Sequence, residues 1–400
     1  MNNKRWIHYL ELAIAVAGMT ILYLILRDFQ WGEPLFQDEG KTRDVFVERF
    51  VLGTNDGLGQ NFFAYCQYNI QNMVIFALGK LFGSAAVGIN LYHIATFWGI
   101  AFSAYWLFEK IGVSHSISLF ASILLTILPY HTDRGEAQII TSSFFMVPVI
   151  TAIIYDIYYV GISAQNYRKN VIILLILPWV DLNLSLMTLI LLLFLCLHRR
   201  EKDAALWTAV CGIPTFVESM ILYTLSNANT GNTLTDNVDR AREEGLRILD
   251  FIMPVRRHIY GRFFNIRFEY DGAFSANGES GLNTMGFLLA LCFVVGMMAL
   301  FVGRKGNQLI RWLSWINLLV ILTANISGLG LLAEYFGIHI TFWNRMGIFV
   351  IVNTAVVMAI SADWIKSQIQ QKRYQILCNI VFVFVAAAAI LDVLLRHKTV

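Results

Sequence analysis

Charged side chains are scarce in this sequence. Only 14% of the 400 residues are Asp, Glu, Lys or Arg, whereas 57% are hydrophobic. The net charge of +3 is small for a chain of this size, which excludes the strongly basic surface of a typical nucleic-acid-binding protein. The apolar residues occur in runs of about 20, the length that an α-helix needs to cross about 30 Å of hydrocarbon. The composition therefore predicts an all-α integral membrane protein that crosses the lipid bilayer several times.

Cysteine pairs and cofactor motifs are also lacking. Of the five cysteines only Cys66 lies in a polar stretch, so neither a disulfide framework nor a thiolate metal site is supported. No Walker loop, dinucleotide-binding glycine fingerprint or zinc-spaced set of His and Cys occurs. We therefore expect no cofactor; a divalent metal is compatible with the sequence but not indicated. No internal repeat or flexible linker divides the chain, so residues 1–400 are expected to form one membrane domain.

Lys and Arg are concentrated in short loops between the apolar runs, and this predicts the orientation. Such loops usually stay in the cytoplasm. With Lys4 and Arg5 inside, the first span runs outward, and it is retained as an anchor because no small-residue cleavage site follows it. Every short, strongly basic loop then lies on the cytoplasmic face. About eleven spans are expected: 11–26, 87–108, 115–130, 138–160, two short spans within 171–197 that meet near Asp181, 204–225, 283–302, 311–331, 345–364 and 375–395.

Two large polar loops are expected on the outer face, at about 28–86 and 226–282. The first contains the apolar stretch 72–83, which at about 12 residues is too short to cross the bilayer and suits an interfacial helix. The second contains the segment 235–254, which has helix-start residues and an apolar side. A helix of that kind can lie on the membrane surface and cover a cavity.

An acidic pair follows the first span on the outer face, Asp38 and Glu39 in LFQDEGK. Charges near the bilayer are costly and tend to face water-filled sites. A partly desolvated carboxylate beside a second one suits a general base that deprotonates an acceptor hydroxyl. A solvated turn is the other interpretation.

The stretch LPYHTDRGEAQ, residues 128–138, carries four ionisable groups between two apolar runs. Asp133 or Glu136 could pair with Arg134 at the start of a helix. Alternatively, Arg134 holds a phosphate, which the planar guanidinium fork fits well. Arg345 in WNR has a similar ambiguity, because an Arg beside a Trp is also a common interfacial anchor.

Other charged groups leave further alternatives open. The basic run Arg256, Arg257 and His258 could hold anionic lipid head groups nonspecifically or bind the phosphate of a specific lipid. Asp156 and Glu218 lie within apolar runs, where carboxylates often mark ion or proton paths in transporters. They lie on different spans, and no matching pair of broken helices occurs in two halves of the chain.

The order and content of these blocks resemble the polytopic GT-C glycosyltransferases. These enzymes take a sugar from a polyprenyl-phosphate lipid and attach it to an acceptor on the outer face. The resemblance covers nearly the whole chain, and it is closest to a group of uncharacterised bacterial members. The blocks that carry it are LGTNDGLGQNFFAY, LPYHTDRGEAQIITSSFFMVPV, LDFIMPVRRHIYGR and FWNRMGIFV. One departure is Gln138, where the related proteins tend to have His.

The resemblance implies an inverting transfer with Asp38 as general base and Glu39 as its neighbour or substitute. The donor phosphate would be bound by Arg134 and Arg345, and by the run Arg256, Arg257 and His258. Further cavity candidates are His131, Glu136 and Asn344. The implied partners are the lipid-linked donor, the bilayer, and a cell-envelope glycan, glycolipid or protein as acceptor. The alternative function is a transporter, a flippase or a non-catalytic component of polysaccharide assembly.

Overall fold

The computed structural model confirms the all-α class for the residues that it describes. Those are 2–33, 69–137, 139–160, 164–199, 202–227, 245–252, 283–301, 307–325, 328–330, 343–369 and 372–394. Within these ranges every extended element is a helix, and the only strand-like contact is one bridge between Leu246 and Asn325. Among the described residues, three helices are long and apolar enough to cross a membrane: Arg5–Leu26, Ala85–Ile111 and Trp343–Gln368.

The first half of the chain departs from the predicted spans at two interruptions. The helix that begins at His115 stops at Ile127, because Leu128 precedes a proline and is extended, with ψ 151°. The polar stretch that follows Leu128 is itself a helix. The expected span 138–160 is interrupted at Ser143. The helices are α1 (Asn2–Leu26), α2 (Ile70–Phe82), α3 (Ala85–Ile111), α4 (His115–Ile127), α5 (Pro129–Ala137), α6 (Ile139–Ser142) and α7 (Met146–Tyr155), which continues as a π-helix (Asp156–Val160).

From α8 onward, the structure confirms the predicted helix break near Asp181. One helix ends at Val180, and the next begins at Leu182. The Asp181 carboxylate caps the second helix by accepting a bond from the Leu184 N–H at 3.0 Å. The helices are α8 (Ala164–Val180), α9 (Leu182–Arg199), α10 (Lys202–Asn227), α11 (Ile248–Ile252), α12 (Gly286–Met298), α13 (Gln308–Ala324), α14 (Gly347–Gln368), which follows a 3-10 turn (Trp343–Met346), and α15 (Lys372–Leu394).

Side-chain contacts place several helix ends at one end of the bundle, which we call the N-terminal end. Contacts at this end join the first half of α1, the last turn of α3, the first turn of α4, the π-helix and the last turn of α14. They are His115 with Glu11 at 2.5 Å, Tyr9 with Glu109 at 3.4 Å, Lys110 with Asp156, and Lys366 with Ser116 at 3.4 Å. The elements therefore alternate in direction, as in a multi-span bundle.

A second set of contacts defines the opposite end of the bundle. This end gathers the residues after α1, the start of α2 and α3, helix α5, the α8–α9 break, the 3-10 turn and the end of α13. The contacts are Arg27 with Asp133 at 3.4 Å, Asn90 with the Glu33 carbonyl at 3.0 Å, Gln71 with the Val180 carbonyl at 2.9 Å, Tyr130 with the Arg345 carbonyl at 3.2 Å, and the Leu246 N–H with the Ala324 carbonyl at 2.8 Å.

Helix α14 forms the centre of the core. Residues 347–359 are buried without exception, against α4, α7, α12 and α13. Polar contacts fix its position against α13, where the Asn353 amide donates to the Asn317 side-chain oxygen at 3.0 Å. Such interhelical bonds in an apolar bundle contribute roughly 0.6–2 kcal/mol. The 3-10 turn that carries Arg345 therefore leads directly into this buried helix.

Helix α2 confirms the short helix predicted in the first outer loop, and it packs tightly on α3. Gln71, Ile75 and Gly79 form its buried side. A Cβ atom added at Gly88 would lie 2.5 Å from the Gly79 nitrogen, so the two backbones are in direct contact there. Only glycine fits at position 88, and this contact fixes α2 against α3.

We predict that Gly88→Ala opens the α2–α3 contact. The added methyl group meets backbone atoms that cannot rotate away, so we expect a loss of roughly 1–3 kcal/mol of stability. Thermal unfolding of the detergent-purified protein, followed by circular dichroism, measures this. Gly18→Ala is the matched control, because a Cβ at Gly18 in α1 has no atom within 4 Å. Equal melting temperatures for the two variants would contradict the close packing.

Candidate functional site

A polar cleft lies where the helix interruptions meet at the end opposite the N-terminal end. It is a small cleft that is partly open to the outside. The α8–α9 break, the α6–α7 break and the 3-10 turn all contribute to its wall. We call this site the cleft. Its lining residues are Gln71, Tyr130, Thr141, Ser143, Phe144, Val147, Val180, Asp181, Asn183, Leu184, Met187, Arg345 and Ile348.

Gln71 is held rigidly in the cleft wall. Its side-chain amide donates to the Val180 carbonyl at 2.9 Å, and its side-chain oxygen accepts a bond from the Tyr92 hydroxyl. The Tyr92 oxygen also lies 3.1 Å from Oγ of Ser143. Because Val180 O belongs to the last residue of α8, Gln71 satisfies a carbonyl that the helix end would otherwise leave without a partner. The same side chain therefore stabilises the break and lines the cleft.

Arg345 is positioned through Tyr130. The Tyr130 hydroxyl donates to the Arg345 carbonyl at 3.2 Å, and both residues line the cleft. The guanidinium carbon of Arg134 lies 4.5 Å from the centre of the Tyr130 ring, a favourable cation–π distance. Arg134 is fully buried and is not among the cleft-lining residues. Of the two arginines predicted to bind phosphate, the structure places Arg345 at the cleft and Arg134 behind Tyr130.

Asp181 supplies the carboxylate of the cleft. The backbone N–H groups of Asn183 and Leu184 donate to it, as expected for a helix cap. Burial raises the pKa of the Asp181 carboxyl, while these two bonds and the positive charge of Arg345 oppose that rise. Among the described lining residues, the cleft therefore contains one cation and one carboxylate whose charges influence each other.

His131 lies outside the cleft, in the interface between α5 and α3. Its Nδ1 contacts the Thr126 carbonyl at 2.5 Å, and its Nε2 contacts the Thr96 hydroxyl at 2.8 Å. The ring packs 5.1 Å from that of His93 and 4.3 Å from that of Phe97, measured between centroids. Burial lowers the pKa of His131 to about 4, so the ring is neutral at physiological pH. In this position His131 anchors α5 to α3.

Asp133 of the stretch 128–138 pairs with a residue outside its own helix. It forms an ion pair with Arg27, at 3.4 Å. Glu136 belongs to α5, but its side chain lies outside the described part of the structure. Asn344 is buried within the 3-10 turn next to Arg345. The stretch is thus a buried helix that links α1, α3 and the Arg345 turn.

Several predicted site residues lie outside the described residues. They are Asp38, Glu39, Arg256, Arg257 and His258. Within the described ranges, no group of three or more His, Cys, Asp or Glu side chains could hold a metal ion.

The two carboxylates considered for transport have partners in different places. Asp156 pairs with Lys110 at the N-terminal end of the bundle. Glu218 in α10 accepts a bond from the Trp179 indole N–H in α8, one residue before the cleft-lining Val180. The two carboxylates therefore have different partners, Lys110 for Asp156 and Trp179 for Glu218.

Gln71, Tyr130 and Asp181 were not predicted as site residues. Asp181 carried the clearest signal, since it is a lone carboxylate within the long apolar run 171–197. Gln71 and Tyr130 are recognisable only from the packing, because each bonds to a residue more than 100 positions away.

Comparisons with protein-family models, with curated proteins and with solved structures give no match to this chain.

We predict that the cleft is open to water-soluble reagents from the outer side of the membrane. In a background without native cysteines, Asn183→Cys should react with a membrane-impermeant maleimide added to spheroplasts. Ser185→Cys is the matched control, because Ser185 is two residues further along α9 and fully buried. Labelling of position 183 only in inverted vesicles would show that the cleft opens to the cytoplasm. Equal labelling of both positions would show that position 183 is no more accessible than the buried position 185.

Proposed function

We propose that the chain is a multi-pass protein of the cell membrane whose N-terminal end faces the cytoplasm and whose cleft faces outward. Basic residues support this orientation, because Lys110 and Lys366 lie at the N-terminal end. Arg168 and Lys169 are exposed near the start of α8, far from the break that lines the cleft. Cytoplasmic loops are the ones enriched in Lys and Arg.

Within that orientation, we infer that the protein is a GT-C-type glycosyltransferase that uses a polyprenyl-phosphate-linked sugar. The observation that carries this proposal is the convergence of Arg345, Asp181, Gln71 and Tyr130 in one cleft at the end of an apolar bundle. An amphipathic donor with a long apolar tail and a charged phosphate matches such a cleft. A guanidinium is well suited to a phosphate because it donates two parallel N–H bonds.

Arg345 contacts the donor phosphate in this proposal. Arg134 adds positive potential behind Tyr130 and keeps that ring in place. Arg256, Arg257 and His258 are proposed to bind the donor phosphate as well, and Asn344, buried beside Arg345, supports the 3-10 turn. The prenyl tail lies between apolar helices that open to the bilayer.

The proposed reaction is a single displacement with Asp38 as general base. An acceptor hydroxyl attacks the anomeric carbon from the face opposite the phosphate, and its proton passes to the Asp38 carboxylate. The bond between the anomeric carbon and the phosphate oxygen breaks, and the bonding electrons leave with the polyprenyl phosphate. The anomeric centre is therefore inverted. No general acid is needed, because the leaving phosphate is a stable anion, and Arg345 stabilises the charge that develops on it.

The position of the chain after α1 supports this role for Asp38 and its neighbour Glu39. The Glu33 carbonyl accepts a bond from the Asn90 amide at 3.0 Å, which holds residue 33 at the cleft end of the bundle. Asp38 and Glu39 follow Glu33 by five and six residues in the sequence. The acceptor in this proposal is a cell-envelope glycan, glycolipid or protein.

We predict that Arg345→Ala lowers sugar transfer by roughly 100-fold or more, because removing one donor that stabilises developing charge typically costs that much. The assay follows radiolabelled hexose from polyprenyl-phosphate hexose to a membrane acceptor fraction at equal protein levels. Arg345→Lys should retain part of the activity, and Asp38→Asn should abolish transfer. Arg168→Ala, at the opposite end of the bundle, is the control and should transfer normally.

Two results, one from this assay and one from complementation in cells, would contradict the proposal. Equal transfer by wild type, Asp38→Asn and Arg345→Ala would show that neither residue acts in a transferase. If function in cells tolerated Asp38→Asn but was lost in Glu218→Gln, the transporter or flippase alternative would replace the transferase.

A further inference from the structure

We propose that Asp181 is a specificity residue that binds a hydroxyl group of a neutral sugar and rejects sugars that carry a carboxylate. The proposal rests on the transferase function described above and assigns its donor to a chemical class. It would make the cleft selective for neutral hexose or pentose donors over uronic acid donors. The sequence patterns described above assign Asp181 no role beyond the helix break.

The capping role of Asp181 leaves part of its carboxylate available to a ligand. A carboxylate has about four acceptor positions on its two oxygens. The backbone N–H groups of Asn183 and Leu184 occupy two of them. Asp181 lines the cleft, so a ligand in the cleft can reach the other two acceptor positions of its carboxylate. A sugar hydroxyl that donates to this carboxylate forms a charge-assisted bond, which is stronger than a bond between neutral groups.

The neighbours of Asp181 in the cleft supply complementary groups for a sugar. Asn183 brings a second amide, and Thr141 and Ser143 bring hydroxyl groups. Gln71 is fixed by its bonds to Val180 and Tyr92, so its amide is already oriented before a ligand binds. A few polar groups of fixed direction within a partly apolar wall are what orient a small ligand in a pocket.

Aromatic rings complete the wall. Tyr130 and Phe144 pack edge to face, with centroids 5.7 Å apart, and both line the cleft. Both rings are almost fully buried, with 1% of Tyr130 and 2% of Phe144 exposed, so they form the rigid apolar backing of the cleft. Arg134 also packs against the Tyr130 ring. The cleft thus presents polar groups of fixed direction on an apolar backing, and the polar groups suit the hydroxyl edge of a sugar.

The charge distribution accounts for the rejection of acidic sugars. Arg345 is the cation of the cleft, and in the transferase it is committed to the donor phosphate. A second anionic group on the sugar ring would then face the Asp181 carboxylate, while Arg345, the basic residue among the described lining residues, is already engaged by the phosphate. Like charges brought together in a partly desolvated site are strongly unfavourable, and such repulsion is a common source of specificity.

The test compares three lipid probes on the full chain in nanodiscs: farnesyl phosphate, farnesyl-phosphoryl glucose and farnesyl-phosphoryl glucuronate. Binding constants are measured for wild type, Asp181→Asn and Asp363→Asn. Asparagine caps a helix as well as aspartate does, so Asp181→Asn should keep the α9 cap and fold normally. Asp363 lies far along α14, near Lys366 at the N-terminal end, so its variant controls for the loss of one negative charge.

We expect wild type and Asp363→Asn to bind the glucose probe at least about tenfold more tightly than the glucuronate probe, because the like-charge repulsion disfavours the latter. Asp181→Asn should reduce that ratio to within about threefold, mainly by improving glucuronate binding, since the repulsion is gone. Farnesyl phosphate, which has no sugar, should bind all three proteins with the same affinity within about twofold. A melting temperature for Asp181→Asn equal to that of wild type confirms that the variant is folded.

The outcomes distinguish a failure of the proposed Asp181 role from a failure of the proposed transferase function. If farnesyl phosphate binds but wild type does not distinguish the two sugars, or Asp181→Asn keeps the same ratio, the role of Asp181 is wrong while the lipid-phosphate site stands. If none of the probes binds wild type, the transferase proposal is overturned, and the role of Asp181 with it.

Discussion

The structure depends on satisfying the backbone groups that become exposed when helices break inside an apolar bundle. Lipid and apolar side chains offer no partners to free N–H and C=O groups, so a break persists only where polar side chains supply them. At the α8–α9 break, Gln71 binds the Val180 carbonyl and Asp181 binds the Leu184 N–H. Two side chains from distant parts of the sequence thus stabilise both sides of one interruption.

The same requirement brings polar and charged side chains to this end of the molecule. Once polar side chains are needed at the breaks, they form a polar surface within an otherwise apolar bundle. Tyr130 bonds to the Arg345 carbonyl and places a guanidinium on that surface. Arg27 and Asp133 tie α1 to the neighbouring wall. A cleft of this kind is suited to a ligand that is itself apolar at one end and charged at the other.

Much of the helical fold could be predicted from the sequence, because long apolar runs and basic loops are local features. The break at Asp181 and the short helix α2 were also visible locally. The interruption at Ser143 was harder to predict, since apolar residues lie on both sides of it. Three of the helices have been shown to be long and apolar enough to cross a membrane, and the count of eleven spans stays a prediction.

The candidate site was less predictable than the fold, because its members come together only through packing. Arg345 was a candidate for its charge at the start of an apolar run, and it does line the cleft. Arg134 looked equivalent in sequence, but tertiary packing buries it against Tyr130. Gln71 carried no signal at all, since a single amide at the start of a short helix is common. Its importance comes from the bond to a carbonyl 109 residues away.

The central claim is that Arg345 and its cleft hold the phosphate of a lipid-linked donor. The most direct measurement is a cryo-electron microscopy structure of the protein in a lipid nanodisc with farnesyl phosphate. We predict phosphate density within hydrogen-bond distance of the Arg345 guanidinium, with the isoprenoid tail leaving the cleft towards the bilayer. Phosphate density elsewhere on the molecule, with the cleft occupied only by water, would contradict the claim.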